Sequence, residues 1–380
     1  MKILLLGEYS RLHNSLKEGL EALNHEVVII GSGDGFKSFP VDYKVYSVFR
    51  EKKALLFLSK AILKVFRINI IKIELAIKYY LVFNKLKQFD VVQLINEASL
   101  KTTARLEIAL LKKLFKKTKK VVLLSCGEDY YNISYALKNK ENYSLLTPYL
   151  NDNTLAKDYA FTLEYVTERH KKLHTFLARN YDGIIASDLD YHLPLINTPK
   201  YLGVIANPIN TDIINYTPLD LDQKIKIFLG INTENSIKKG VLFFEKALKI
   251  IASKYPDLVE ITITKNLPYN TYINSYNQAH IILDQVYGHD QGYNALEAMA
   301  KGKVVFTGAE QQWLKYYNVK EDTIAINALP DVDYLVKKIE WLITNPNIIK
   351  TISVNANAFI TTHHNYKNIA AQYVKTWNTL

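Results

Sequence analysis

The sequence predicts an α/β protein made of two successive parallel, doubly wound domains. Three observations carry this expectation. Short apolar runs recur along the chain, each bounded by a turn and followed by an amphipathic helical stretch. The rhythm breaks over Thr211 to Gln223, an aperiodic stretch containing Pro218, and then starts afresh. The chain has 380 residues, and domains of roughly 150 residues make two or three of them the natural division.

In the first series, residues 2–7 read as a buried strand rather than a secretory leader, because a polar break follows too soon. A helix from Asn14 to Leu23 has Leu16, Leu20 and Leu23 on one face. Val27 to Ile30 is a second strand, and it ends in Gly31-Ser32-Gly33-Asp34-Gly35. Residues 52–88 interrupt the rhythm. They are helical and apolar, with Ala54, Leu55, Leu58, Ile62, Val65 and Phe66 on one face and Lys52, Lys53, Lys60, Lys64 and Arg67 on another. Two readings fit: an interfacial amphipathic helix, or core-packing helices whose lysines snorkel to water. Val91–Ile95 is a strand, Leu106–Phe115 a helix and Val121–Ser125 a strand. A long helical region covers 152–180, and Gly183–Ser187 is a further strand.

In the second series, Lys224–Leu229, Val259–Thr264, Ile281–Leu283, Val304–Thr307 and Thr323–Ile326 read as strands. Lys238–Ile251, Gly292–Ala300, Asp331–Thr344 and 346–378 read as helices. No stretch reaches the length of uncharged apolar residues that a membrane span needs.

The net charge of +11 is unevenly placed. Residues 51–120 hold 17 basic and 5 acidic residues, whereas 201–380 hold 17 and 16. A localised basic excess points to an anionic partner, and lysine-rich composition alone does not explain the clustering. Basic and aromatic residues alternate in amphipathic helices rather than on a stacking platform, which argues against nucleic acid. Cys126 is the single cysteine and fits a reducing compartment.

Three places in the second half are suited to an anionic ligand. Gly230 to Gly240 joins a strand end to a helix start and carries Asn232, Lys238 and Lys239. Gly288 to Lys303 is a glycine-bearing loop entering a helix. Its Gly292, Tyr293, Asn294 and Ala295 amides face the crevice, and Glu297 is placed to accept from vicinal hydroxyls. Lys265 ends a further strand. Histidines are scattered, His363-His364 reads as a surface pair, and no metal cluster, P-loop or nucleophile elbow is present in the sequence.

These segments resemble a GT-B glycosyltransferase of family GT4 over nearly the whole chain. Asn24-His25-Glu26-Val27 is similar to a Gly-His-Glu-Val after the first helix. Asn207-Pro208-Ile209-Asn210-Thr211-Asp212 is similar to a Pro-Asn-Gly-Val-Asp before the linker. Lys239-Gly240 resembles the Lys-Gly that holds a diphosphate, and Gly292 to Lys303 resembles the second half of Glu-x7-Glu. The resemblance implies two Rossmann-like domains, 1–210 for the acceptor and 211–365 for the donor, with a basic insert at about 51–120. The 366–380 helix would return to the first domain. It implies retaining transfer from a UDP- or GDP-linked sugar to a glycan or lipid-linked acceptor in surface polysaccharide synthesis. No metal or other cofactor is implied, and the departing phosphate takes the acceptor's proton.

By the same resemblance His289, Glu297 and Lys239 are the catalytic set. Lys239, Asn232, Lys265, Gly292, Tyr293, Asn294, Ala295 and Glu297 bind the donor. Gly7, Ser10, His13, Cys126, Glu128 and Asp129 lie on the acceptor side. The departures are as specific as the matches. His289 replaces the first glutamate, Ile231 stands where an arginine is usual, and Cys126-Gly127 replaces His-Gly. No arginine follows Arg179. These losses keep a second reading open, a weak or inactive GT-B protein acting as a scaffold at the membrane. A nucleotide-sugar epimerase is a third. The expected location is the cytoplasm, peripheral at the inner membrane face through 51–120.

Overall fold

Two parallel sheets, wrapped by helices, account for both series. The computed structural model describes residues 1–140, 143–267 and 269–380. The first domain runs β1 (Lys2–Leu6), α1 (Leu12–Ala22), β2 (Glu26–Gly31), β3 (Tyr43–Lys44), α2 (Val48–Glu51), α3 (Lys53–Phe66), α4 (Ile70–Lys85), β4 (Phe89–Leu94) and α5 (Ala104–Phe115). It continues with β5 (Thr118–Ser125), α6 (Tyr130–Lys138), α7 (Thr147–Asn151), α8 (Ala160–Glu164), α9 (Glu168–Asn180), β6 (Gly183–Ala186), α10 (Leu189–Leu195) and β7 (Tyr201–Val204). Its sheet order is β3-β2-β1-β4-β5-β6-β7.

The second domain runs β8 (Ile225–Ile231), α11 (Val241–Lys254), β9 (Val259–Lys265), α12 (Tyr269–Gln278), β10 (Ile281–Leu283), α13 (Tyr293–Ala300) and β11 (Val304–Thr307). Then follow α14 (Gln311–Tyr317), β12 (Ile326–Asn327), α15 (Val332–Thr344), α16 (Pro346–His363) and α17 (Tyr366–Asn378). Its order is β12-β11-β10-β8-β9. The central strands are mostly apolar because helices cover both faces of each sheet; Ile3, Leu4, Leu5 and Leu6 are all fully buried.

The chain crosses between domains twice, and the two crossings are tied together. Ile209 N–H donates to the His364 carbonyl at 2.7 Å, and Tyr366 N–H donates to the Ile209 carbonyl at 3.1 Å. Asn365 then caps α17 by accepting from the Lys367 and Asn368 amides, and α17 packs along α1. The contact is close: a Cβ on Gly19 would lie 2.4 Å from the Tyr366 carbonyl oxygen. His364 is therefore no surface residue. It is buried, its Nδ1 lies 2.9 Å from the Asn207 carbonyl oxygen, and burial pushes its pKa down to about 4.

Other departures have local causes. The long helix expected over 152–180 divides into a 3-10 turn at Asn153–Lys157, then α8 and α9. Thr167 starts α9 by accepting from the His170 amide. The strand expected at 323–326 contracts to β12. The short helices α7, α10 and α14 span fewer than two full turns, too few for the apolar repeat that reveals a helix in sequence.

The basic insert behaves in two ways. Of α3 only Ser59 is buried, so the core-packing reading fails there. Phe57, Val65 and Phe66 are 77%, 70% and 66% exposed. Helix α4 buries Ala76, Tyr79 and Phe83 but leaves Ile73, Ile77, Tyr80 and Leu81 exposed at helical spacing. Part of the lysine run is structural. The Lys117 ammonium donates to the Phe83 and Leu86 carbonyls at the end of α4, and Lys120 donates to the Trp377 carbonyl near the end of α17. Cations there complement helix C-termini. Among the described residues no helix is long and apolar enough to cross a membrane.

Candidate active site

Each sheet has a switch point where its connections depart in opposite directions: between β1 and β4 in the first, and between β8 and β10 in the second. Ligands of doubly wound sheets bind in the crevice beyond the strand ends at such points. Bonds between the domains collect on the neighbouring loops. Ser15 and Tyr293 hydroxyls meet at 2.7 Å. Lys238 pairs with Glu128 at 2.7 Å. The His289 amide donates to Asp190 at 2.9 Å, and the Leu189 amide donates to Asp290 at 2.9 Å.

On the donor side, β8 ends in a polar loop held by its own side chains. Asn232 is exposed and its Oδ1 accepts from the Glu234 amide, so it shapes the loop. Asn266 ties the Thr233 amide at 3.0 Å. Lys265 is exposed at the end of β9. Gly240 has φ 64°, and a Cβ there would lie 2.2 Å from Val286 Cγ2. Only glycine lets the loop turn tightly into α11 beside β10. This turn sets the Lys239 ammonium 2.8 Å from Asp284, which stands just beyond β10. Asp284 is buried and also takes the Thr307 hydroxyl.

Helix α13 begins beside Asp284. Among the described residues the Tyr293 and Asn294 amides have no acceptor, so they are the open donors of this helix start. The Ala295 amide is not open, contrary to expectation: it donates to the Gly292 carbonyl at 2.9 Å. The Tyr293 side chain also turns away from the donor side. Its hydroxyl donates to the Pro208 carbonyl at 3.0 Å and pins the two domains together. Asn294 reaches toward Asp284 at 3.5 Å.

Glu297 lies one turn further along. Its carboxylate has no hydrogen bond among the described residues, and burial raises its pKa. Lys301, Arg11 and Lys37 oppose that rise. Thus the second domain, which lacks arginine, feels the charge of Arg11, whose guanidinium pairs directly with Glu18 at 2.6 Å. Sequence spacing gave no signal for that influence.

On the acceptor side the corrections are larger. His13 is buried, with Nδ1 2.8 Å from the Gly7 carbonyl, and burial pushes its pKa down to about 4. It is a core histidine and cannot touch an acceptor. Asp129 is buried and caps α6, accepting from the Asn132 amide at 2.7 Å and from the Ser125 hydroxyl. Cys126 is half-buried, and burial pushes its thiol pKa up. Glu128 is held by Lys238 and by the Thr162 hydroxyl. Ser10 remains at the rim, its hydroxyl accepting from Lys37 at 2.9 Å. Gly7 has φ 92° and sits against Ile95, where a Cβ would be 2.2 Å from Cγ2.

The residue missed beside them is Glu8. It is 2% exposed, one oxygen accepts from the Asn14 amide and side chain, and the other has no partner. Burial pushes its pKa up to about 7.

His289 stands where the loop meets the first domain. Its ring stacks on Tyr143 at 5.1 Å, and its Nε2 lies 3.0 Å from the Tyr143 carbonyl. The Tyr143 hydroxyl donates to Glu310. Beside His289 lies an interdomain cavity of about 180 Å³, walled by α6 and α10 on one side and by the Gln285–Gly292 loop on the other. Among the described residues no group of three His, Cys, Asp or Glu side chains is arranged to hold a metal ion.

Residues 237–375 match a protein-family profile described as Glycosyl transferase-like. No curated protein matches the chain by sequence. Its structure is similar to HepE of Anabaena in complex with UDP and glucose, with TM-score 0.60 and 13% identity over 100% of both chains. It is similar to the sucrose-phosphate synthase of Thermosynechococcus elongatus, with TM-score 0.57 and 12% identity over 100% of this chain and 98% of the other. The UDP-GlcNAc 2-epimerase of Neisseria meningitidis, bound to UDP-GlcNAc, has TM-score 0.53 and 14% identity over 100% of both chains. The fold is GT-B.

Proposed function

We propose that this GT-B protein is a glycosyltransferase that takes its sugar from a nucleoside-diphosphate donor, UDP- or GDP-linked, with retention at the anomeric carbon in the manner of family GT4. The observation that carries the reading is the crevice at the β8/β10 switch point. There Lys239, two open amides of α13 and the unpaired Glu297 carboxylate stand within one loop and one helical turn. The amides and Lys239 suit a diphosphate, and Glu297 suits the vicinal hydroxyls of a ribose. The glycosyl transferase-like match over 237–375 spans the same residues.

In this mechanism the bond from the anomeric carbon to the diphosphate oxygen breaks, and its electron pair leaves with the nucleotide. Fixed dipoles and Lys239 stabilise the developing charge. The acceptor hydroxyl attacks on the same face and its proton passes to the departing phosphate.

The acceptor is a glycan or lipid-linked sugar at a membrane surface, a role that suits surface-polysaccharide synthesis. The support is α3 and α4, whose exposed Phe57, Val65 and Phe66 lie beside Lys53, Lys60, Lys64 and Arg67. A scaffold without activity is the second reading. It is favoured by one observation, that Asp284 already occupies Lys239.

Calorimetry with UDP and GDP, followed by hydrolysis of the matching nucleotide sugars, tests the proposal. Binding of one nucleotide that weakens at least tenfold in Glu297→Ala, together with sugar release above the Glu297→Ala level, is expected. Nucleotide binding without any sugar release or transfer would leave the scaffold.

A further inference from the structure

Two bonds across the domain contact are reciprocal, and their chemistry carries an inference that holds whatever ligand the crevice takes. The Leu189 amide of α10 donates to Asp290 of the second domain at 2.9 Å. The next residue answers: Asp190 accepts from the His289 amide at 2.9 Å. Each domain thus presents one amide and one carboxyl, on adjacent residues, to the other.

Each half of this contact is fixed in its own domain. Helix α10 packs on α6, β6 and β7, and Asp188 ties its start by accepting from the Asp190 amide at 3.0 Å. The 288–291 loop lies against Gly308, just beyond β11, where a Cβ would be 2.5 Å from the Asp290 carbonyl oxygen. The Gln291 side chain donates to the Gly308 carbonyl, and Asp290 takes the Gln291 amide on its other oxygen at 2.7 Å. Both halves are firm, so the bonds between them mark a plane along which the domains can part.

The contact gathers like charges. Asp188 feels Asp190 and Asp290, Asp290 feels Asp190, and Asp190 feels Glu310 at the start of α14. Burial is the larger cause and raises all three aspartates, Asp290 from 3.8 to about 7. The amides they accept from oppose that rise without cancelling it. Two cationic groups stand near. The His289 ring favours ionised Asp190, and Lys238 is held by Glu128 at 2.7 Å. Tyr143, Tyr191, Tyr201, Tyr316, Tyr317 and Cys126 border the aspartates, and burial raises each of them, so they stay neutral.

We propose that this reciprocal pair is a proton-operated clamp, which holds the two domains together at mildly acidic pH and lets them part as its carboxyls ionise. In the made contact Asp290 keeps its proton to about 7; once the contact parts, water reaches the carboxyl and its proton affinity falls toward the ordinary 3.8. Between those values only the made contact binds this proton. A rise in pH therefore favours parting, by up to about tenfold per pH unit for each carboxyl involved. Below the lower value both states are protonated and the dependence ends. Repulsion between ionised Asp190 and Asp290 acts in the same direction.

Hydrogen exchange on the full chain tests the clamp, because the Leu189 and His289 amides each donate across it. Protection factors, corrected for the pH dependence of intrinsic exchange, are measured from pH 6 to pH 8, with small-angle scattering of the same samples. Both amides are expected to lose at least about tenfold in protection together, with a rise in the radius of gyration, while the core amides of β1 keep theirs. Asp190→Asn with Asp290→Asn keeps both acceptors but cannot ionise, so its two amides are expected to hold their protection to pH 8 within about threefold. Protection that does not fall with pH in the native chain overturns the clamp, and this series decides by itself should the double variant fail to fold. A fall that the double variant shares overturns it too, by placing the titrating group elsewhere. Loss at one amide with an unchanged radius overturns it as local fraying.

Discussion

The Lys239 ammonium lies 2.8 Å from the Asp284 carboxylate, at the mouth of the crevice between β8 and β10. Lys239 is 37% exposed and Asp284 only 2% by side chain, so the lysine is the mobile partner. A diphosphate entering this crevice must draw Lys239 from Asp284 or share it. Lys239→Ala is expected to weaken nucleoside-diphosphate binding at least tenfold, about 1.4 kcal/mol. Asp284→Asn is expected to tighten it severalfold by removing a like charge. Calorimetric titration of both variants decides, and an Asp284→Asn protein that binds more weakly would assign Asp284 to the ligand instead.

Glu297 makes a second prediction about which part of the donor it holds. Its place one turn inside α13 suits ribose hydroxyls rather than phosphates. Glu297→Ala should weaken UDP or GDP at least tenfold yet change the binding of the 2′-deoxynucleotide much less. An equal loss for both would remove the ribose from this assignment.

Glu8 links the first crevice to pH. Its carboxyl is pushed up from 4.5 to about 7 by burial. Between those values the folded chain holds a proton that the unfolded chain has released, so stability falls as pH rises through this window. The difference corresponds to roughly 3 kcal/mol at pH 8. Glu8→Gln removes this contribution. Its urea midpoint, measured against the native chain, should gain as pH rises from 5 to 8. A constant difference across that range would show that Glu8 does not titrate there.

The exposed apolar face of α3 makes a fourth prediction. Val65→Asp with Phe66→Asp should abolish flotation on vesicles containing anionic lipid while leaving the melting temperature within a degree or two. Both side chains are mostly in water already, so their loss removes little packing. Flotation that survives the double substitution, or that ignores salt, would move the membrane contact elsewhere.

Much of the fold is legible in the sequence because strands buried on both faces must be mostly apolar. Ile3 to Leu6 and Ile281 to Leu283 announce themselves in this way, and the break at 211–223 separates the two series. The donor loop is legible for a related reason. Lys239-Gly240 and Gly292 to Glu297 are local motifs, and a helix start converts spacing directly into geometry. Helix α7 escaped because it is five residues long, less than two turns, and packing rather than periodicity holds it.

By itself the sequence determined which chemical groups stand near each strand end, since that follows from local backbone conformation. Only the tertiary structure decided which of them face a ligand. His13 follows β1 as an acceptor contact would, yet its ring enters the core. Asp129 follows β5 but is consumed in capping α6. Asn132, Asp190 and His289 meet around one cavity although 99 residues separate Asp190 from His289. The physical reason is that a polar group's role depends on what remains unpaired after burial. That is settled by partners brought from the other domain, and no local pattern contains them.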